Sequence, residues 1–433
     1  MKLRHAVSAA ALAAVMLLGA PAFASPGSDL LDKIAVDFVR LTLEAGEREP
    51  GYVDAYYGPQ AMQDAAKLAP RPVSVLRKEA NRLQLLLAKV PNKDLDADQL
   101  RRKAFLRGQV KAAQTRLAMI AGDKFSFEDE AEGLFSVRPV LKPLKSYDPI
   151  LAKIEKLVPG KGDLAARVDA FQNRYVIPTD KVEAVMQAGI AACKAKTEAH
   201  IKLPAGERFD MEFVTKKPWS GYNWYKGNAH SLIQINTDLP IYISRALDLG
   251  CHEGYPGHHV LNALLEQKLT KDKGWIEFSV YPLFSPQSFI AEGSANFGIE
   301  LAFPGDAKTQ FERDKLYPLA GLDPATAKTY GELQAAKGAL ASSGNTVAAL
   351  YLSGKMTKEQ AVQALMKYSL YSRGGAEKRV SFIETYRSYV INYNIGQDMV
   401  RDHVYRAGKT EDARWKAMER VISEPTTPAD LRK

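Results

Sequence analysis

Apolar residues recur at helical spacing from Ser28 to about Thr197 and again from near Leu239 to the end of the chain, whereas strand-like alternation is confined to the stretch between. In the first region Asp148-Pro149 places a side-chain cap before a proline at the first helical position, and Thr179-Asp180 opens a run through Val182, Val185, Met186 and Ile190. Breaks fall at Pro91, Gly122, Pro159-Gly160 and Pro178, and the aromatic, turn-rich segment Gly51–Pro59 predicts an ordered loop. Between about Pro204 and Pro240 the segments Met211–Val214 and Ser231–Asn236 alternate imperfectly, with Gly221 and Gly227 between them, and predict a small antiparallel sheet. Further on, Thr357 and Gln360 form a capping-box pattern, and a long amphipathic stretch runs from about Ala376 to Tyr405. The expected fold is therefore mainly α, with a helical N-terminal lobe over residues 25–200 and a second lobe over residues 201–433 that carries the sheet and the C-terminal helices.

The start of the chain changes the picture of where such a fold works. Lys2 and Arg4 precede an apolar run from Ala6 to Leu18, and Ala22-Phe23-Ala24 offers small residues where a signal peptidase looks for them, so residues 1–24 read as a cleaved export signal. The run is short for a membrane span and no cysteine follows it to accept a lipid, which points to a periplasmic or secreted protein with no stable membrane anchor. Removal of that segment takes away two basic residues and no acidic one from a chain of formal charge +9. The remaining excess is scattered among acidic residues, which argues for a solvated surface and against a nucleic-acid partner. Two cysteines, Cys193 and Cys251, exclude a disulfide-built scaffold, and their apolar surroundings favour two buried thiols over a bridge.

Three histidines fall within eight residues, in Cys251-His252-Glu253-Gly254-Tyr255-Pro256-Gly257-His258-His259. Imidazoles are costly to crowd together away from water unless something such as a metal organises them. In zinc-peptidase helices two histidines one turn apart bind the ion and the glutamate after the first activates water. Here the position one turn after His252 is Pro256, which cannot donate to the His252 carbonyl and presses against it, so the helix must widen or break. A local bulge that absorbs two residues returns His258 to the His252 face. On an undistorted helix His259 would share that face, but about 10 Å along the axis, too far for one zinc at about 2 Å from each nitrogen. His258 is the preferred second ligand, with His259 the alternative or a group that orients ligand or substrate. For a third ligand the best candidate is Glu292, a lone carboxylate within the apolar and small-residue pattern Gln287–Asn296.

These residues resemble a bacterial family catalogued as domain of unknown function 885. Its His-Glu-x-x-Pro-Gly-His-His signature is matched from His252 to His259, and its Glu-Gly-x-Ala element by Glu292-Gly293-Ser294-Ala295. Ile235-Asn236-Thr237 with Leu239-Pro240 matches the approach to the signature, and Tyr393-Asn394-Ile395-Gly396 a late tyrosine-glycine element. Ser294 stands where tryptophan is more usual and Asn394 where lysine is common, departures that bear on pocket shape more than on metal binding. The family is similar to helical gluzincin peptidases such as the thimet-oligopeptidase and carboxypeptidase Taq groups. That similarity implies a two-lobed, zincin-like helical molecule with a deep channel.

The expected function is that of an exported peptidase: Zn2+ held by His252, His258 and Glu292, with Glu253 as general base towards a peptide or oligopeptide substrate. The resemblance makes Tyr393 the donor to the developing oxyanion, with His403 and Tyr222 behind it. Asn236 either marks a sheet edge that pairs with an extended peptide or caps a turn before Leu239-Pro240. Two rival classes stay open, a non-catalytic peptide-binding protein stabilised by metal and a zinc amidase acting on cell-wall fragments. An intact Glu253 speaks against the first, because a scaffold needs ligands and no base.

Overall fold

Residues 25–433, apart from Pro218 and Leu239, are described by a computed structural model, in which 68% helix against 7% strand makes the protein mainly α with small sheets. The expected export signal at residues 1–24 lies outside the described residues. No helix among the described residues is long and apolar enough to cross a membrane.

Several helices begin where a short polar side chain takes up an orphan backbone N–H: Ser25, Asp96, Ser126, Asp163 and Thr410 each accept from the residue three positions on. Thr357 does the same, and Gln360 reaches back to the Thr357 N–H, completing the expected capping box. At Asp148 the expectation fails. The chain enters through a tight turn, Leu144–Tyr147, so Asp148 is already helical and its side chain caps nothing, although Pro149 does fall in the first turn. Thr179–Lys181 form a similar tight turn leading into the helix Val182–Glu198.

Five strands accompany the helices: β1 (Val53–Tyr56), β2 (Arg208–Val214), β3 (Gly221–Gly227), β4 (His230–Asn236) and β5 (Val280–Pro282). The segment expected as a loop contains β1, which pairs antiparallel with the distant β5, and distant pairing leaves no local signal. The other sheet has the order β2-β4-β3, antiparallel between β3 and β4 but parallel between β2 and β4, so it is mixed where an antiparallel sheet was expected. β3, bounded by Gly221 and Gly227, lies between β2 and β4 in sequence only, and the chain's return through it leaves those two neighbours parallel.

The larger of two apolar cores runs from Leu31 in the first helix to Leu431 near the end. At its centre lies the helix Pro286–Ala302, buried on nearly every side, with Phe289 and Phe297 fully enclosed. Each such ring contributes about 1.5–3 kcal/mol by leaving water. The helix Ile395–Ala407 rests on it backbone to backbone. A Cβ on Gly293 would lie 2.5 Å from the Gly396 carbonyl carbon, so that position tolerates no side chain, and one on Gly396 would be tight, 3.0 Å from the Phe289 carbonyl oxygen. This contact brings the two late sequence elements, Glu292–Ala295 and Tyr393–Gly396, into one place.

The two cysteines correct the expectation of free thiols: Cys193 and Cys251 are disulfide-bonded, with Cα atoms 5.3 Å apart. The helix Val182–Glu198 packs tightly on the chain around Cys251, with Gly189 against the backbone of Ala246 and Gly250 against that of Ile190. That approach places both sulfurs within bonding reach, and only helix packing reveals it.

Candidate metal centre

The helix Ser244–Leu249 continues into a widened π-type turn, Gly250–Gly254, leaves helical geometry at Tyr255–Gly257, and restarts as the helix His258–Leu265. Both consequences expected of Pro256, widening and a break, thus occur in sequence. The excursion needs Gly257, since a Cβ there would sit 1.8 Å from the His252 carbonyl oxygen. Its result is that the rings of His252 and His258 stand perpendicular with centroids 4.7 Å apart.

Glu292 reaches the same point from the buried helix. Its Oε2 lies 3.3 Å from His252 Nε2 and 3.7 Å from His258 Nε2, and the ligating atoms of the three residues all fall within 4.8 Å of one another. Ligand atoms held about 2 Å from a tetrahedral ion are roughly 3.3 Å apart, so the spacing suits a single small cation. Glu292 Oε2 is buried and accepts no hydrogen bond from the described residues. A buried carboxylate oxygen left without a donor is costly, and a cation resolves it. The residues present fit zinc, for two imidazoles and one carboxylate with a free fourth position are the donor set of catalytic zinc sites.

Outer contacts hold these ligands. His252 Nδ1 is 3.0 Å from Asn296 Oδ1, while Asn296 Nδ2 donates to the Tyr393 carbonyl at 2.7 Å; this fixes the amide and leaves His252 Nε2 bare towards Glu292. Tyr389 donates its hydroxyl to Glu292 Oε1 at 2.7 Å. Tyr389→Phe and Asn296→Ala are each expected to weaken metal affinity about 10- to 100-fold, measured by competition with a chromophoric chelator. Unchanged affinity in both would remove them from the support of the site.

Charge in the cluster is lopsided. Burial works to raise the Glu292 pKa, but the facing imidazoles of His252 and His258 hold it well below the usual carboxylate range. Burial works to lower His258, yet Glu292, Glu253 and Asp54 raise it to about 9, so the cation-free cluster keeps a proton there. Asp54, in β1, is pushed up to about 6 by burial against the pull of Tyr222 and His258.

The other expected residues divide. Glu253 is buried beside the cluster, its Oε1 4.0 Å from His252 Nε2, and its carboxylate accepts no hydrogen bond from the described residues, although Asn223 anchors its backbone carbonyl at 2.7 Å. Tyr393 packs on Tyr389, and burial with Glu292 nearby holds its hydroxyl protonated far above neutrality. Tyr222, in β3, gives its hydroxyl to Asp54. His259 does not join the cluster. With the helix restarting at His258, consecutive side chains diverge by about 100°, and His259 bonds Ser231 Oγ and Glu207 Oε2, each at 2.8 Å. Asn236 lies in the central strand, not at an edge; its amide donates to the carbonyls of Lys217 and Trp219 at 2.9 and 2.8 Å and accepts from the Asp238 N–H, so it closes a turn. His403 sits on the helix Ile395–Ala407 with Arg406 and Asp430 as its charged neighbours, and takes no part in the cluster. Asp54, Tyr389 and Asn296 escaped sequence reasoning. The spacing of Tyr386, Tyr389 and Tyr393 along one helical stretch, and a lone acid among the aromatics of Gly51–Pro59, were the available signals.

No protein-family model matches the chain, and no curated protein sequence matches it. Among solved structures it resembles a candidate lipoprotein from Colwellia psychrerythraea, with a TM-score of 0.53 and 15% identity over 82% of this chain and 65% of that one. The two share a fold. The chain thus spans less than two thirds of that relative's length. A candidate lipoprotein of unknown function from Shewanella oneidensis aligns with a TM-score of 0.48 and 13% identity, over 86% of this chain and 75% of that one. An M32 carboxypeptidase from Deinococcus radiodurans R1 aligns with a TM-score of 0.39 and 14% identity, over 93% of each chain.

Proposed function

We propose that the protein is an exported, zinc-dependent peptidase of the helical zincin type, belonging with the bacterial family of domain of unknown function 885. The observation that carries this reading is the convergence of His252 Nε2 and His258 Nε2 on the one Glu292 oxygen that has no hydrogen-bond donor, with the carboxylate of Glu253 unengaged beside them. His252, His258 and Glu292 would hold the zinc, which would supply Lewis acidity and lower the pKa of a water at the site towards neutrality. Glu253 takes the proton from the attacking water and delivers it to the leaving amine. The Tyr393 hydroxyl, kept protonated by its buried setting, donates to the carbonyl oxygen as negative charge develops there. Asn296 and Tyr389 keep the imidazole and the carboxylate aimed.

The test is metal analysis of the purified protein, followed by incubation of the zinc-loaded form with a mixed peptide library and with muropeptides, products being read by mass spectrometry. One zinc per chain and cleavage within the peptides is the expected result. Cleavage confined to muropeptides would make the protein a cell-wall amidase, and zinc binding without any product would make it a metal-stabilised binding protein.

A further inference from the structure

Resting on the peptidase reading, we propose that Asp54 is a specificity residue which binds the free α-ammonium group of the substrate, so that the enzyme acts at the amino-terminal end of peptides. The first observation is how β1 delivers this side chain. Val53 pairs with Pro282 and Ala55 with Tyr281, and the register slips between them, which leaves Asp54 as the extra residue of a bulge. A bulge turns its odd side chain out of the ladder and is a recurrent way to aim a group at a site. Here the side chain meets the phenol of Tyr222 on β3, the strand whose Asn223 anchors the Glu253 backbone.

The second observation is that Asp54 has no Lys or Arg partner among the described residues. Its Oδ1 accepts from Tyr222, while its Oδ2 accepts nothing from the described residues, and no Lys or Arg among them forms an ion pair with Asp54, Glu253 or Glu292. Three carboxylates against one divalent cation leave one negative charge uncompensated. Asp54 is half-buried, and a carboxylate drawn even part-way out of water without a partner is costly, a cost that a cationic substrate group removes. The metal ligands need only Glu292 and the base only Glu253, so Asp54 is the acid left for binding.

The walls suit an ammonium better than a second metal ion. Tyr281 stands next to Asp54 across the strand pair, Tyr386 is close enough to feel its charge, and Tyr222 lies between Trp219 and Trp224 with ring centroids 5.4 and 4.6 Å away. Aromatic faces around a carboxylate favour an organic cation, through the ring quadrupole and low hydration. The same excess of negative charge disfavours a substrate's terminal carboxylate at this spot, which separates amino-terminal from carboxy-terminal action.

The experiment compares tetra-alanine amide with its N-acetylated form, so that neither probe has a terminal carboxylate. Binding to zinc-loaded Glu253→Gln protein, which holds peptide without consuming it, is measured calorimetrically at neutral pH, with and without Asp54→Asn. The free amine is expected to bind about 10- to 100-fold more tightly than the acetylated peptide, and Asp54→Asn to abolish that preference without changing zinc content. Asp54→Glu, which keeps the charge, is expected to retain a preference and guards against a misfolded Asn variant. Equal affinity for the two probes, equal weakening of both by Asp54→Asn, or no binding of either overturns the assignment. Turnover by the unmodified enzyme separates it from the peptidase reading: equal hydrolysis of both probes sinks the ammonium anchor alone, and discrimination in binding without hydrolysis sinks the peptidase alone.

Discussion

Glu253→Gln is expected to bind zinc with unchanged stoichiometry and to hydrolyse peptides about 10²- to 10⁴-fold more slowly, the range over which a positioned acid-base group contributes. The substitution is nearly isosteric, and the Asn223 bond to the Glu253 carbonyl is made by the backbone, so the turn that carries His252 stays in place. What disappears is a carboxylate with no hydrogen bond from the described residues and 4.0 Å from His252 Nε2, a group with nothing else to do. Steady-state kinetics alongside metal analysis of the same preparation measures the effect. Hydrolysis at an undiminished rate would strip Glu253 of the role of base.

Glu292→Gln removes the charge that draws the site together, and its cost to zinc affinity is expected to exceed the ~100-fold upper range for an outer partner such as Tyr389. The amide leaves two imidazoles and a neutral oxygen in a buried place, where a divalent ion is poorly compensated. Affinity should also depend on pH, with a definite sign. In the cation-free protein His258, raised to about 9, holds a proton below that pH, and zinc must displace it. Apparent affinity therefore climbs about tenfold per pH unit up to about 9 and levels off above it. Stability of the cation-free protein from the same group runs the other way: present at low pH, it fades as pH rises through about 9. Competition titrations from pH 6 upwards measure the first, and an affinity flat in pH or a Glu292→Gln variant within twofold of the parent would contradict the ligand set.

Much of the site was legible because it is written locally. Proline one turn after His252 conflicts with a regular helix whatever surrounds it, so the widened turn and the choice of His258 over His259 followed from backbone sterics. Glu292 stood out because the one acid in the apolar and small-residue pattern Gln287–Asn296 demands a partner. The choice between the two readings of Asn236, and the place of His403, were not written locally. A strand's place in its sheet and a helix's distance from a cluster depend on pairings that no local pattern reports, and Asn236 proved to close a turn beside a central strand.

Sequence by itself determined the mainly helical class, the capping box at Thr357, and the candidate metal-binding set His252, His258 and Glu292, because periodicity, proline sterics and the burial cost of polar groups act over a few residues. Tertiary structure decided the rest: the parallel pairing of β2 with β4, the Cys193–Cys251 bridge, the backbone contact of Gly293 with Gly396 that brings Tyr389 and Tyr393 to Glu292, and the bulge that turns Asp54 towards Tyr222. Each joins segments far apart in the chain, and such contacts come from the packing of whole elements on one core rather than from the residues on either side.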